Sequence, residues 1–107
     1  MEYWMESVFS PEELQERIAA IPRLAIAIRN TPLEEASNLS KLLGPRVFIK
    51  RDDLTGVALG GNKLRNLEFR LAHMMKEQPE TDTVIVGLDL QSNSARQTVG
   101  ACNKLGL

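Results

Sequence analysis

The sequence predicts an α/β fold with parallel strands and crossover helices, and three observations carry that expectation. Two β-favouring runs, Val47-Phe48-Ile49 and Thr83-Val84-Ile85-Val86-Gly87, flank a stretch of helical periodicity. The second run is apolar throughout, as are strands buried on both faces of a parallel sheet. Each run is followed by a polar loop and then by another amphipathic stretch, so strand, loop and helix recur in order. That order predicts parallel pairing through a right-handed crossover. Ligands of open α/β sheets bind beyond the carboxyl ends of the strands. The loops Gly60-Gly61-Asn62-Lys63 and Gln91-Ser92-Asn93 both fall at that edge, which makes them candidates for one site.

The elements follow one another with identifiable signals. Ser10-Pro11-Glu12-Glu13 supplies an N-cap, a proline at the first helical position and a capping-box glutamate, so a short helix is expected to run to about Ala20, before Pro22. After the extended Thr31-Pro32, the residues Ala36, Leu39, Leu42 and Leu43 recur at helical spacing until Gly44-Pro45 ends the segment. Val47-Phe48-Ile49 is the first expected strand, closed by the polar turn Arg51-Asp52-Asp53. Gly56, Gly60 and Gly61 then make a loop whose backbone has room to approach a ligand such as a flat ring. Leu64, Leu67, Leu71, Met74 and Met75 mark the apolar face of a helix ending near Pro79. Beyond the strand at 83–87 and a turn from Leu88 to Asn93, Ala95, Val99, Cys102 and Leu105 mark a last helix capped by Gly106.

Composition removes several function classes. Thirteen Lys+Arg against 14 Asp+Glu leave a net charge of −1, so nothing drives the chain toward nucleic acid or an anionic membrane. Hydrophobic residues at 43% and charged residues at 25% exclude a disordered or collagen-like chain. No apolar run approaches the ~20 residues of a membrane helix. Met1-Glu2-Tyr3-Trp4-Met5-Glu6 has neither the basic nor the apolar region of a signal peptide, so a cytoplasmic location is the expectation. Cys102 is the sole cysteine, which rules out an intrachain disulfide. Two convincing strands fall short of the three or more that a stable sheet usually needs, and the chain is therefore expected to be the N-terminal part of a longer one.

Several residues are chemically suggestive. Lys63 stands where a glycine loop turns into a helix, at the positive end of the helix dipole, where a neutral amine able to form a Schiff base with an aldehyde is favoured. On position alone, a solvated first-turn lysine is the commoner case. Gly56, Gly61 and Lys63 superficially match a phosphate-binding P-loop, but Asn62 intervenes before the lysine and Leu64 replaces the magnesium-binding hydroxyl. Gln91-Ser92-Asn93-Ser94 follows a strand and opens a helix, so free backbone N–H groups and two hydroxyls converge where a carboxylate fits. The plainer alternative makes Ser92 or Asn93 an N-cap, with Arg96 and Gln97 solvating the first turn. Asp52 and Asp53 either orient a lysine or cap a turn. Lys50 and Arg51 read as a solvated strand end, with Arg51 available to an anionic ligand. His73 has neither cysteine nor second histidine near it, so no metal site is expected.

Three blocks taken together, Ile49-Lys50-Arg51-Asp52-Asp53-Leu54-Thr55-Gly56, Gly60-Gly61-Asn62-Lys63-Leu64-Arg65-Asn66-Leu67-Glu68-Phe69 and Gln91-Ser92-Asn93, resemble one family. It is that of the pyridoxal-phosphate enzymes related to 1-aminocyclopropane-1-carboxylate deaminase and D-cysteine desulfhydrase, of the tryptophan synthase β-like, two-domain fold (fold type II). The resemblance runs from about Thr31 to Leu107, leaving residues 1–30 as a helical lead-in and 31–107 as the N-terminal part of the catalytic fold.

The resemblance implies that Lys63 holds pyridoxal 5′-phosphate covalently and moves substrate protons, and that Asn62 and Asn93 also contact the cofactor. It places Ser92, Asn93 and Ser94 at the carboxylate of a small amino-acid substrate, with Ser92 and Lys63 catalytic. The implied reaction is deamination or desulfhydration to an α-keto acid and ammonia, in a homodimer. Two positions depart from the family pattern: Ser94 stands where many relatives have histidine, and Leu88-Asp89-Leu90 makes the approach to the motif one residue longer. The family's glycine-rich phosphate cup, its partner for the pyridine nitrogen and its active-site tyrosines come from later sequence, and Tyr3 is the only tyrosine here. The chain alone is therefore expected to be inactive. The alternative expectation is a non-catalytic interaction or regulatory remnant of the same family.

Overall fold

Ser10 opens the first helix in the computed structural model, which describes residues 8–107; Met1 to Glu6, whose composition lacks signal-peptide character, lie outside the described residues. Helix α1 (Pro11–Ala19) forms on its capping box: the Ser10 hydroxyl accepts from the Glu13 amide at 3.1 Å and the Glu13 carboxylate accepts from the Ser10 amide at 2.8 Å. None of its residues is buried, so local capping rather than packing sustains it.

Strand β1 (Leu33–Glu35) pairs with β2 (Phe48–Lys50) across helix α2 (Ser37–Leu43), which ends at Gly44 with φ of 94°. The ladder is antiparallel, with Leu33 opposite Lys50 and Glu35 opposite Phe48. It is the one ladder among the described residues and joins a pair the sequence did not signal, while the parallel pairing expected between the runs at 47–49 and 83–87 is not formed among them. Leu33-Glu34-Glu35 has little β propensity of its own. The short α2 turn returns the chain alongside it, and β2 then completes its hydrogen bonds.

The run at 83–87 forms no strand and has no ladder partner among the described residues. Val84 packs against the core, whereas Ile85 is 93% exposed. The expectation of burial on both faces therefore fails for this segment, because only α3 and α4 lie against it.

Helices α3 (Lys63–Glu77) and α4 (Asn93–Leu105) pack on each other around Ile26, Leu64, Leu67, Leu71, Ala101 and Cys102. The α3 face is as expected, except that Met75 is exposed. On α4 the buried set is Gln97, Thr98, Ala101 and Cys102, with Val99 left exposed. The same i, i+3, i+4 rule is obeyed with the stripe turned toward two polar residues, since position 99 faces away from α3. Gly106 ends α4 in the left-handed conformation, φ 79°.

Residues 23–29, without regular secondary structure, lie over this pair, with Leu24 N–H donating to the Glu68 carbonyl and Lys104 Nζ to the Ile26 carbonyl, both at 3.0 Å. The radius of gyration is 17.6 Å, against about 13 Å for a closed domain near this length. The arrangement is open, with the two long helices as its packed centre.

Candidate functional site

The approach to α3 is a left-handed passage. Gly56, Ala58, Leu59, Gly60 and Gly61 have φ of 90°, 47°, 65°, 73° and 139°. For alanine and leucine this costs about 1–2 kcal/mol each, and the surrounding contacts hold it. Thr55, fully buried, accepts from Gly61 N–H at 2.8 Å and donates to Gly61 carbonyl at 2.9 Å.

A Cβ on Gly60 would lie 1.8 Å from the Asp53 carbonyl oxygen, and one on Gly61 would lie 2.3 Å from Gln97 Nε2. The glycines at 60 and 61 therefore make room for the protein's own atoms. This corrects the expectation that they clear space for a ligand ring. Gly100 plays a similar part unforeseen in the sequence: a Cβ there would meet Ala58 Cβ at 2.6 Å.

Asn62 leads into α3 without a side-chain cap bond, and Lys63 is the first helical residue, exposed to solvent. Lys63 lines a cavity of about 380 Å³ with Asn62, Asn66, Leu67, Arg70 and Ser94. A second cavity of about 380 Å³ lies on the other side of Asn62, where Asn93, Arg96 and the backbone of Gly60 and Gly61 form part of its wall.

The structure thus brings Lys63, Asn62 and Ser94 together and sets Asn93 beside Asn62. Ser92 lines neither cavity. It is the N-cap of α4, its hydroxyl accepting from the Ala95 amide at 3.1 Å. Asn93 Oδ1 accepts from Arg96 Nη2 at 3.0 Å, and Arg96 Nη1 donates to the Gly60 carbonyl at 3.2 Å. Arg96 therefore ties the glycine loop to the head of α4 instead of solvating a first turn.

Gln97 is the larger correction. Expected at the surface, it is fully buried, accepting from the Leu64 amide at 3.2 Å and donating to the Asn93 carbonyl at 3.0 Å. Its one sequence signal is its spacing with Ala101 and Cys102 on the buried stripe.

The acidic pair at 52–53 is also engaged differently from a turn cap. Asp52 accepts from Arg65 Nη2 at 2.8 Å and from the Thr31 hydroxyl at 3.3 Å, and the Arg65 contact holds its carboxyl below the usual range. Asp53 is held low by Arg51 at 2.7 Å. Arg51 is shared between Asp53 and Glu34, so its guanidinium is not free for an anionic ligand. Lys50 remains exposed on β2, and its Nζ donates to the Thr31 carbonyl. Among the described residues no group of His, Cys, Asp and Glu is placed to hold a metal.

The donor set fits an anionic aldehyde. One amine, two carboxamides, a guanidinium and a hydroxyl line the Lys63 cavity with no carboxylate among them.

Residues 24–107 match the family described as pyridoxal-phosphate dependent enzyme. D-cysteine desulfhydrase of Yersinia pestis (strain Pestoides F) is 48% identical over 94 residues, which cover 88% of this chain and 28% of that protein. The Serratia proteamaculans D-cysteine desulfhydrase is 47% identical over the same shares. A crystal structure of an ACC deaminase homologue superposes with a TM-score of 0.81 at 38% identity, over 92% of this chain and 30% of that one. The chain spans about 28% of the length of the curated relatives it matches. The α/β fold and the resemblance carried by the three sequence blocks are both borne out, and the chain belongs to the pyridoxal-phosphate dependent enzyme family.

Proposed function

We propose that this chain is the lysine-bearing, N-terminal portion of a pyridoxal-phosphate deaminase or lyase. Its substrate is a small amino acid, through D-cysteine desulfhydration or 1-aminocyclopropane-1-carboxylate deamination to an α-keto acid and ammonia. The observation that carries this reading is the exposed Lys63 amine at the head of α3, opening on a cavity it shares with Asn62 and Ser94. The cofactor, when bound, supplies the electron sink that makes such bond cleavage possible.

The chain's own residues divide the remaining work. Lys63 Nζ holds the cofactor's aldehyde carbon and carries protons to and from the substrate. Asn93 Oδ1 is occupied by Arg96, which leaves Nδ2 to donate to a ring oxygen. Asn62 stands between the two cavities and contacts the cofactor from the loop side. Ser92 accepts from Ala95 N–H, so its own proton is left to donate to a substrate carboxylate. Ser94 and the first amides of α4 complete that carboxylate seat with the positive end of the helix dipole.

The reading includes a cytoplasmic location, expected from an N-terminus without signal-peptide character, a homodimer, implied by the family resemblance, and no turnover by the 107 residues alone. A second reading, an interaction remnant without catalysis, is favoured by the exposure of Ile85 and Leu88 on the segment between α3 and α4.

One experiment separates the two. The chain is mixed with pyridoxal phosphate, reduced with borohydride and mapped by peptide mass. A single adduct at Lys63, absent from Lys63→Ala, is the expected result. Label scattered over Lys41, Lys50, Lys76 and Lys104, or unchanged in Lys63→Ala, overturns the proposal and leaves the remnant.

A further inference from the structure

We infer that Gln97 is the positioning residue of the site: its side chain sets where the Lys63 backbone stands relative to Asn93. The inference rests on the proposed role of Lys63 and names what holds that lysine in place.

A carboxamide with no solvent exposure must find partners for its oxygen and its nitrogen. Gln97 spends both on the two helix heads. Its Oε1 accepts from the Leu64 amide at 3.2 Å, and its Nε2 donates to the Asn93 carbonyl at 3.0 Å. The Leu64 amide is one of the orphan donors of the first turn of α3. Asn62 provides no side-chain cap there, so Gln97 does the capping from another helix, 33 residues along the chain.

Gly61 closes the arrangement from the other side, since a Cβ there would sit 2.3 Å from Gln97 Nε2. Residues 61 and 64 flank Lys63 along the chain, and both are seated against this one side chain. The bond to Asn93 brings the start of α4 into the same frame. Leucine at 97 would keep the bulk and lose both bonds. Glutamate would keep an acceptor for Leu64 but lose the donor that faces the Asn93 carbonyl.

The test uses the 107-residue chain with two readouts. The first is amide hydrogen exchange, with Leu71 of the same helix as internal reference. The second is the ratio of borohydride-trapped pyridoxal phosphate at Lys63 to that at Lys41. Gln97→Leu is expected to speed exchange at Leu64 at least tenfold relative to Leu71 and to lower the Lys63:Lys41 ratio about tenfold. Gln97→Glu restores much of the Leu64 protection, since its acceptor remains, and recovers part of the ratio.

Unchanged exchange at Leu64 in Gln97→Leu overturns the inference. So does an unchanged labelling ratio in a variant that has lost Leu64 protection, because Gln97 would then serve stability alone. If Gln97→Leu loses protection at Leu71 as well and does not fold, Gly61→Ala decides: its added methyl presses on Gln97, and an unaltered ratio overturns the inference. Absence of selective labelling in the unsubstituted chain defeats the proposed function, while Leu64 exchange still decides whether Gln97 holds the head of α3.

Discussion

Arg23 and Glu68, 45 residues apart, meet in an ion pair whose carboxylate has no solvent exposure: Arg23 Nε lies 2.6 Å from Glu68 Oε2. The other oxygen accepts from the Ile26 and Ala27 amides at 3.0 and 2.8 Å. One glutamate of α3 thereby fastens the strap at 23–29 over the helix pair and satisfies backbone donors that would otherwise be stranded.

Removing that carboxylate is costly because its partners remain. Glu68→Leu is expected to lose about 3–5 kcal/mol, read as a lowered urea midpoint, and Glu68→Gln less, since one oxygen can still accept. Burial pushes the Glu68 carboxyl up, but the Ala27 and Ile26 amides and Arg23 together outweigh it and hold it below the ordinary value. A depressed folded-state value means the stabilisation is complete above the unfolded value of about 4.3 and is lost as pH falls through the lower folded one. Urea midpoints measured from neutral pH into acid should therefore drop more steeply for the unsubstituted chain than for Glu68→Gln. Parallel curves would disprove the assignment.

Gly60→Ala should be among the most damaging single-methyl additions in the chain. It combines a φ of +73° with a Cβ placed 1.8 Å from the Asp53 carbonyl oxygen. Gly44→Ala is the natural comparison, because its φ of +94° imposes the strain with nothing within 4 Å. Thermal melts should show Gly44→Ala lowering stability through backbone strain alone, and Gly60→Ala clearly more. Equal losses would mean that the Asp53 contact relaxes freely.

Ser92 combines a cap with a proposed substrate contact, and two substitutions pull these apart. Ser92→Ala removes the cap bond to Ala95 and should cost about 1 kcal/mol. Ser92→Asp keeps an N-capping oxygen but adds a negative charge where a carboxylate is proposed to sit. Its melting temperature should stay near that of the unsubstituted chain while amino-acid binding to the cofactor-loaded protein weakens at least tenfold. Undiminished binding in Ser92→Asp would leave the residue as a cap only.

What the sequence made legible was local. The capping box at Ser10 and Glu13, the Gly44-Pro45 stop, the Gly106 cap and the apolar face of α3 depend on residues within a turn or two of one another. The three motif blocks were legible because their residue types recur together, whatever holds them in space. What escaped depends on distant partners. Leu33-Glu34-Glu35 becomes a strand only because β2 lies beside it. Gln97 is polar in isolation and buried only because Leu64 and Asn93 consume both ends of its amide. The run at 83–87 has strand composition, but composition does not supply the neighbour that a ladder requires.

The bond from Gln97 to Leu64 also has a consequence in time. A contact spanning 33 residues forms only after the intervening chain has been closed into a loop, and that entropy must be met before the contact gives anything back. During synthesis from the N-terminus, Lys63 emerges well before the residue that seats it, and α3 begins its life with its first turn uncapped. The capped form of that helix head therefore awaits the arrival of α4.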